Sequence, residues 1–194
     1  MPGAGAGAGV PELLTERLVL RRWRAEDRGP FAAMNGNAAV MEFFPAPLSR
    51  AQSDDLAERA DGLFETLGYG LWALELRETG EFAGFTGLAP MPEGVPGAGG
   101  VEVGWRLAQP FWGRGLATEA ARAALRFGFE NAGLSEVNSI TAVINVRSRA
   151  VMERLGMREA DRFEHPRVPE GSPLRLHVRY TIRPEGEFGS QMQK

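Results

Sequence analysis

The 194-residue chain contains no cysteine. That removes disulfide cross-links, thiolate metal sites and a cysteine nucleophile, and it suits a cytoplasmic protein. No apolar run is long enough to cross a membrane, and the first residues lack the charged-then-apolar order of a secretory signal. A basic surplus is also missing: the net charge of −3 sets aside a general nucleic-acid binder. Lysine is nearly absent, with Lys194 the only one among 22 basic residues, a bias that reflects the codons of a G+C-rich genome more than physics. Lys194 follows Glu187-Phe188-Gly189-Ser190, which reads like joined cloning sites. Residues 184–194 are therefore expected to be a polar tail, partly vector-derived.

Hydrophobic residues make up 43% of the chain, enough for the core of one ordinary domain. Residues 1–12, mostly alternating Gly and Ala, are expected to form a disordered leader, and residues 13–183 the folded domain. Within it Leu18 to Trp23 reads as a strand, Asp27 to Met34 as a short helix, and Met41, Phe43 and Phe44 as either a core plug or a pocket wall. Ser49 and Gln52 spell a capping box ahead of a helix with Leu56, Ala60, Leu63 and Leu67 at helical spacing. Two strands, Leu71 to Leu76 and Glu81 to Ala89, flank a hairpin turn.

The stretch Phe111 to Ala120 carries the chemistry. It joins a strand, Val101 to Leu107, to an amphipathic helix ending near Ala132, and Val137 to Ile144 gives the next strand. Strands joined through a helix should run parallel. Gly113 and Gly115 at the helix entrance admit positive φ, and the orphan N–H groups of the first turn with the helix dipole suit an anion such as phosphate. The alternative is a plain tight connector. Two other phosphate motifs are excluded: there is no G-x-x-x-x-G-K-S/T, and Thr118 stands where a dinucleotide fingerprint needs its third glycine. Asn145 and Ser148 then open another short helix, and two strands, Met157 to Glu164 and Leu174 to Ile182, close the domain.

These two segments, Val101-Glu102-Val103-Gly104-Trp105 through Phe111-Trp112-Gly113-Arg114-Gly115-Leu116-Ala117-Thr118-Glu119-Ala120 and Asn145-x-x-Ser148-x-x-Val151-x-x-x-Leu155-Gly156-Met157, resemble the GNAT superfamily of N-acetyltransferases, in its RimJ/RimL-like branch. The opening Thr15-Glu16-Arg17-Leu18-x-Leu20-Arg21 is similar to that branch as well. The resemblance implies an α/β GNAT fold: a mixed sheet of about seven strands and about four helices, with two splayed parallel strands at the cofactor site. It implies acetyl-CoA as co-substrate without a metal, and backbone amides of Arg114, Gly115, Ala117 and Thr118 holding the pyrophosphate. It further implies a strand from Val103 through Trp105 to Leu107 beside the pantetheine arm, often bulged, with Asn145 on that arm and Ser148 near the sulfur. One departure stands out. Met152 occupies the position where many members carry a proton-donating tyrosine, and a thioether cannot donate a proton.

Acetyl transfer to a primary amine needs a proton acceptor, and Glu102, on the strand flanking the reaction centre, is the candidate base; otherwise it is an exposed strand carboxylate. Ser148 is the candidate acid or merely a first-turn residue, and Asn145 either caps the helix, contacts cofactor, or does both. His165 is a possible pocket residue and His177 a structural one. Trp105, Phe43, Phe44 and Phe163 are a candidate acceptor wall, and Arg149 and Arg154 candidates for the 3′-phosphate of coenzyme A. The expected activity is direct acetyl transfer to a peptide N-terminus or a small amine, by a monomer or homodimer, with no nucleic-acid or membrane partner. The alternative is a catalytically weak acyl-CoA-binding sensor.

Overall fold

Short apolar runs punctuated by glycine and polar turns build an eight-stranded sheet flanked by four α-helices. The computed structural model describes residues 10–184. Residues 1–9 of the expected leader, and 185–194 with the Glu187-Phe188-Gly189-Ser190 stretch, lie outside the described residues. In chain order the elements are β1 (Leu13–Leu14), β2 (Leu18–Arg21), α1 (Arg28–Gly36), α2 (Arg50–Leu67), β3 (Leu71–Leu76), β4 (Phe82–Pro90), β5 (Val101–Leu107), α3 (Leu116–Glu130), β6 (Val137–Ala142), α4 (Val146–Arg154), β7 (Arg158–Glu164) and β8 (Leu176–Ile182). The sheet order is β1-β2-β3-β4-β5-β6-β8-β7. Every neighbouring pair is antiparallel except β5 and β6, which run parallel because α3 carries the chain back between them.

The strand beyond the expected seven is β1, two residues long and too short for alternation to reveal it. β2 stops at Arg21, short of Trp23, because the Trp23 ring turns onto Phe31 at 4.7 Å and its Nε1 donates to the Leu71 carbonyl at 2.6 Å. β6 ends at Ala142, where the Asn145 N–H donates back to the Ala142 carbonyl at 2.9 Å and closes a turn.

The Ser49–Gln52 capping box forms, but α2 is rotated from the expected face. Its buried residues are Ser53, Ala57, Ala60 and Phe64, whereas Leu67 is 41% exposed. The helix carries two apolar rows, and the Phe64 ring wins by packing edge-on against Trp72, with centroids 5.0 Å apart. Ser53 tolerates burial because the Asn35 amide donates to its Oγ at 2.8 Å.

Two apolar layers sandwich the sheet. On one face the small row Ala120, Ala121 and Ala124 lets α3 lie close on Leu88, Val103 and Leu107. On the other, Phe31, Met34, Val40 and Ala57 close over Phe85. Val10 also packs against the first of these clusters. Below α1 a charged cluster is buried. The Arg21 guanidinium donates to both Asp27 oxygens at 2.8 Å and to Glu75 at 2.7 Å, and those carboxylates hold its pKa well above the ordinary range despite burial. Replacing one partner strands the other charge, so Asp27→Ala is expected to cost about 3–5 kcal/mol, read as a lower urea midpoint with unchanged slope. A midpoint shift below about 1 kcal/mol would show that Glu75 alone compensates Arg21.

Candidate functional site

The turn ahead of α3 is built from two left-handed glycines, Gly113 at φ 70° and Gly115 at φ 77°. A Cβ on Gly113 would meet nothing within 4 Å, and on Gly115 only the Arg17 Nη2 at 3.6 Å, so the turn presents bare backbone. No side chain caps α3. The Glu119 N–H reaches back to the Gly115 carbonyl at 3.1 Å, which leaves the N–H groups of Leu116, Ala117 and Thr118 at the positive end of a fifteen-residue helix. The stretch connects β5 to α3 and at the same time leaves these N–H groups open at the helix entrance.

A carboxylate in the first turn would repel an anion, and here Glu119 is neutralised. The Arg17 Nε donates to it at 2.7 Å, the Arg17 N–H at 2.8 Å and the Thr15 hydroxyl at 2.6 Å. Burial opposes ionisation of Glu119, but these donors outweigh it and hold its pKa below the ordinary value. Arg17 also donates to the Arg114 carbonyl at 2.8 Å and so pins the turn. Sequence reasoning missed this residue. Its signal was present in Thr15-Glu16-Arg17-Leu18, but only the fold brings β1 and β2 beside α3.

From this turn a groove of about 1500 Å³ runs between β5 and β6 to the loops on the far side of the sheet. The two strands share one rung, Glu102 opposite Asn138, and then separate. The Ala108 N–H donates to the Ala83 carbonyl, so the alternate residues Val103, Trp105 and Leu107 turn their main-chain groups toward the gap. The Leu107 carbonyl accepts from the Trp112 Nε1 at 2.8 Å, leaving Trp105 with main-chain groups facing open space. The expected bulge in β5 is absent: its register with β4 is continuous from Val101 to Leu107, and splaying does what a bulge would do.

Trp105, Leu107, Gly115, Ala117, Thr118, Asn145 and Ser148 all line the groove. Val103 is 1% exposed, with its side chain under α3, so only its main chain is available there. The Arg114 side chain is not part of the lining. Asn145 caps α4, its Oδ1 accepting from the Ser148 N–H at 3.2 Å, while its Nδ2 donates to Thr141 Oγ1 at 3.0 Å and to Ser148 Oγ at 3.2 Å. With its oxygen thus engaged, the Ser148 hydroxyl retains its proton for the groove. Met152 is buried in the same wall.

Alternation sends Glu102, Gly104 and Arg106 to the opposite face of β5 from Val103. The Glu102 carboxylate lines the groove without a hydrogen-bond partner among the described residues, and burial pushes its pKa up to about 7. Arg106, which sequence reasoning passed over as a strand residue, lies on the same face with its pKa lowered to about 10 by burial. Phe43 and Phe44 form a wall here and Met41 is a core plug, so the proline-broken segment does both jobs; Phe163 is not part of the lining. His177 also needs correction from a purely structural residue: it lines the groove with His165, their rings 4.7 Å apart, and burial lowers the pKa of both. Arg149 is occupied by Tyr180 and the Val143 carbonyl, whereas Arg154 borders the groove. The described residues contain no group of three or more His, Cys, Asp or Glu that could hold a metal, and no helix long and apolar enough to cross a membrane.

Comparison with known proteins agrees with this geometry. The family model of the acetyltransferase (GNAT) domain matches residues 17–158. The FsC-acetyl coenzyme A-N(2)-transacetylase of Aspergillus fumigatus is 38% identical over 128 residues, 61% of this chain but only 52% of that protein, so the match spans about half the relative's length. YoaA of Bacillus subtilis, an uncharacterized N-acetyltransferase, is 22% identical over 90% of this chain and 98% of its own. Among solved structures, the acetyltransferase from Agrobacterium tumefaciens superposes with a TM-score of 0.74 at 26% identity, covering 93% of this chain and 99% of that one. RimL, a ribosomal L7/L12 α-N-protein acetyltransferase solved with coenzyme A, shares the fold with a TM-score of 0.72 at 15% identity, over 89% of this chain and 98% of its own. The chain belongs to the GNAT acetyltransferase family. It is an N-acetyltransferase of that family.

The raised pKa of Glu102 has a stability consequence whose sign can be worked out. The ordinary value is 4.5 and the folded value about 7. Between these the unfolded chain gives up its proton first, so stability falls as pH rises through this window and levels off above it. Glu102→Gln is therefore expected to leave the urea midpoint unchanged at pH 4 and to raise it at pH 8. Equal shifts at both pH values would mean that the carboxylate is not strained by burial.

Proposed function

We propose that this enzyme transfers acetyl directly from acetyl-CoA to a primary amine, most favourably a weakly basic α-amine, within the groove between β5 and β6. The observation that carries the reading is continuity: one cavity borders both the Gly113–Gly115 turn and the unpaired Glu102 carboxylate. The open glycine turn fits a pyrophosphate, with the N–H groups of Arg114, Gly115, Ala117 and Thr118 as its donors. The edge groups of Val103, Trp105 and Leu107 and the Asn145 amide flank the route of the pantetheine arm. Acetyl-CoA supplies an already activated acyl group, and the chemistry left to the protein is alignment and proton traffic.

Glu102 is the proposed base. With a pKa near 7 it matches an α-ammonium group at about 8 far better than an alkylammonium at about 10.4, which favours N-terminal or amino-acid amines over lysine-like ones. Ser148 is the proposed donor to the departing thiolate, since its oxygen already accepts from Asn145 and Met152 has no proton to give.

Purified enzyme given acetyl-CoA should release free thiol in proportion to added amine, and Ser148→Ala should lower kcat by about 10- to 100-fold while shifting cofactor affinity far less. Tight acetyl-CoA binding without amine-dependent thiol release would favour an acyl-CoA sensor instead. Gly115→Glu should abolish coenzyme A binding in calorimetry, through strain at positive φ and a like charge beside the pyrophosphate. Retained affinity would move the cofactor away from this turn.

A further inference from the structure

Arg106 is a half-buried cation of the groove that lacks a counter-ion among the described residues. Arg17 is matched by Glu119 and Arg147 by Glu42, each within ion-pair distance, but no carboxylate lies within that distance of Arg106 among the described residues. Its Nη1 donates to a neutral acceptor, the Asn35 Oδ1, at 2.6 Å. Its guanidinium lies over the Phe44 ring at 4.2 Å and within 5.4 Å of the Phe85 centroid. Among the described residues the Nε, sealed from solvent, has no hydrogen-bond partner and Nη2 makes no hydrogen bond. Aromatic faces and one amide do not replace the hydration a guanidinium gives up, and an apolar side chain would fill this position with less desolvation cost. A charge held in this way has a role for a group that arrives from outside.

That group would come along the groove. Arg106 and Glu102 project from the same face of β5, four residues and roughly 13 Å apart along the strand, and both border the cavity. We infer that Arg106 receives a carboxylate of the acceptor while the acceptor's amine lies toward Glu102, so that the substrate is an amino compound carrying a carboxylate roughly 10 Å from its nitrogen. This rests on the amine-acetylation reading and names its substrate class. With Nε sealed, the end-on fork of Nη1 and Nη2 is what a carboxylate would meet, beside the Phe43–Phe44 wall. An extended tripeptide with a free C-terminus has about this span.

Matched probes test it: trialanine against trialanine amide, and 8-aminooctanoate against 8-aminooctanamide. In each pair the carboxylate should have a kcat/KM at least about tenfold above its amide, mostly through KM. Arg106→Met and Arg106→Lys should pull both ratios toward one, a readout that partial loss of folded protein does not move. Equal kcat/KM for carboxylate and amide in the unmodified enzyme would overturn the assignment, as would ratios preserved in both variants. A second readout is independent of turnover. With coenzyme A present, trialanine should bind at least about tenfold more tightly than its amide in calorimetry, and equal binding overturns the inference. If no amine is acetylated, the proposed function fails, and this binding comparison still decides the role of Arg106.

Discussion

Beyond the Glu102–Asn138 rung β5 and β6 part, and the strand edges exposed by that separation govern the rest of the molecule. Unpaired main-chain groups inside a protein are costly unless something satisfies them. Here the Trp112 indole takes the Leu107 carbonyl and the Asn138 amide takes that of Val101, which stabilises the two ends of the opening and leaves the stretch around Trp105 for a ligand. The alanine row of α3 holds β5 from one side, and α4, capped by Asn145, holds the end of β6. The glycine turn lies where the first of these helices enters, so the turn and the opening are parts of one construction.

Charge is distributed according to the same division. Arg21, Asp27 and Glu75 form a closed, mutually bonded set under α1 and belong to the fold. Arg17 and Glu119 form a second set, which balances the carboxylate in the first turn of α3. Glu102 and Arg106 are half-buried without ionic partners among the described residues, and their pKa values move toward neutrality, one up and one down. The charges that hold the fold are paired, whereas these two on one face of β5 have no ionic partner among the described residues.

Much of this was legible along the chain, since its signals are local. The glycines at 113 and 115, the capping residues Ser49 and Asn145, and the exact span of β5 depend on neighbours a few residues away. Glu102 was legible only as a candidate on the strand beside the motif, with an exposed carboxylate as the alternative, and the fold is what puts it on the groove. The rotation of α2 did not follow, because two apolar rows were available and only Trp72, on a different element, selected between them.

The sequence by itself determined the family motifs, the order of the elements and the backbone conformation of the Gly113–Gly115 turn, all properties of short stretches. Tertiary structure alone decided what lies across the groove. Arg17 reaches Glu119 over 102 positions and Arg106 reaches Asn35 over 71, and His177 meets His165 only because β8 folds back beside β7. Whether a half-buried charge is paired or vacant depends on contacts between segments distant in sequence, so no local pattern could mark Arg106 as a cation without a counter-ion.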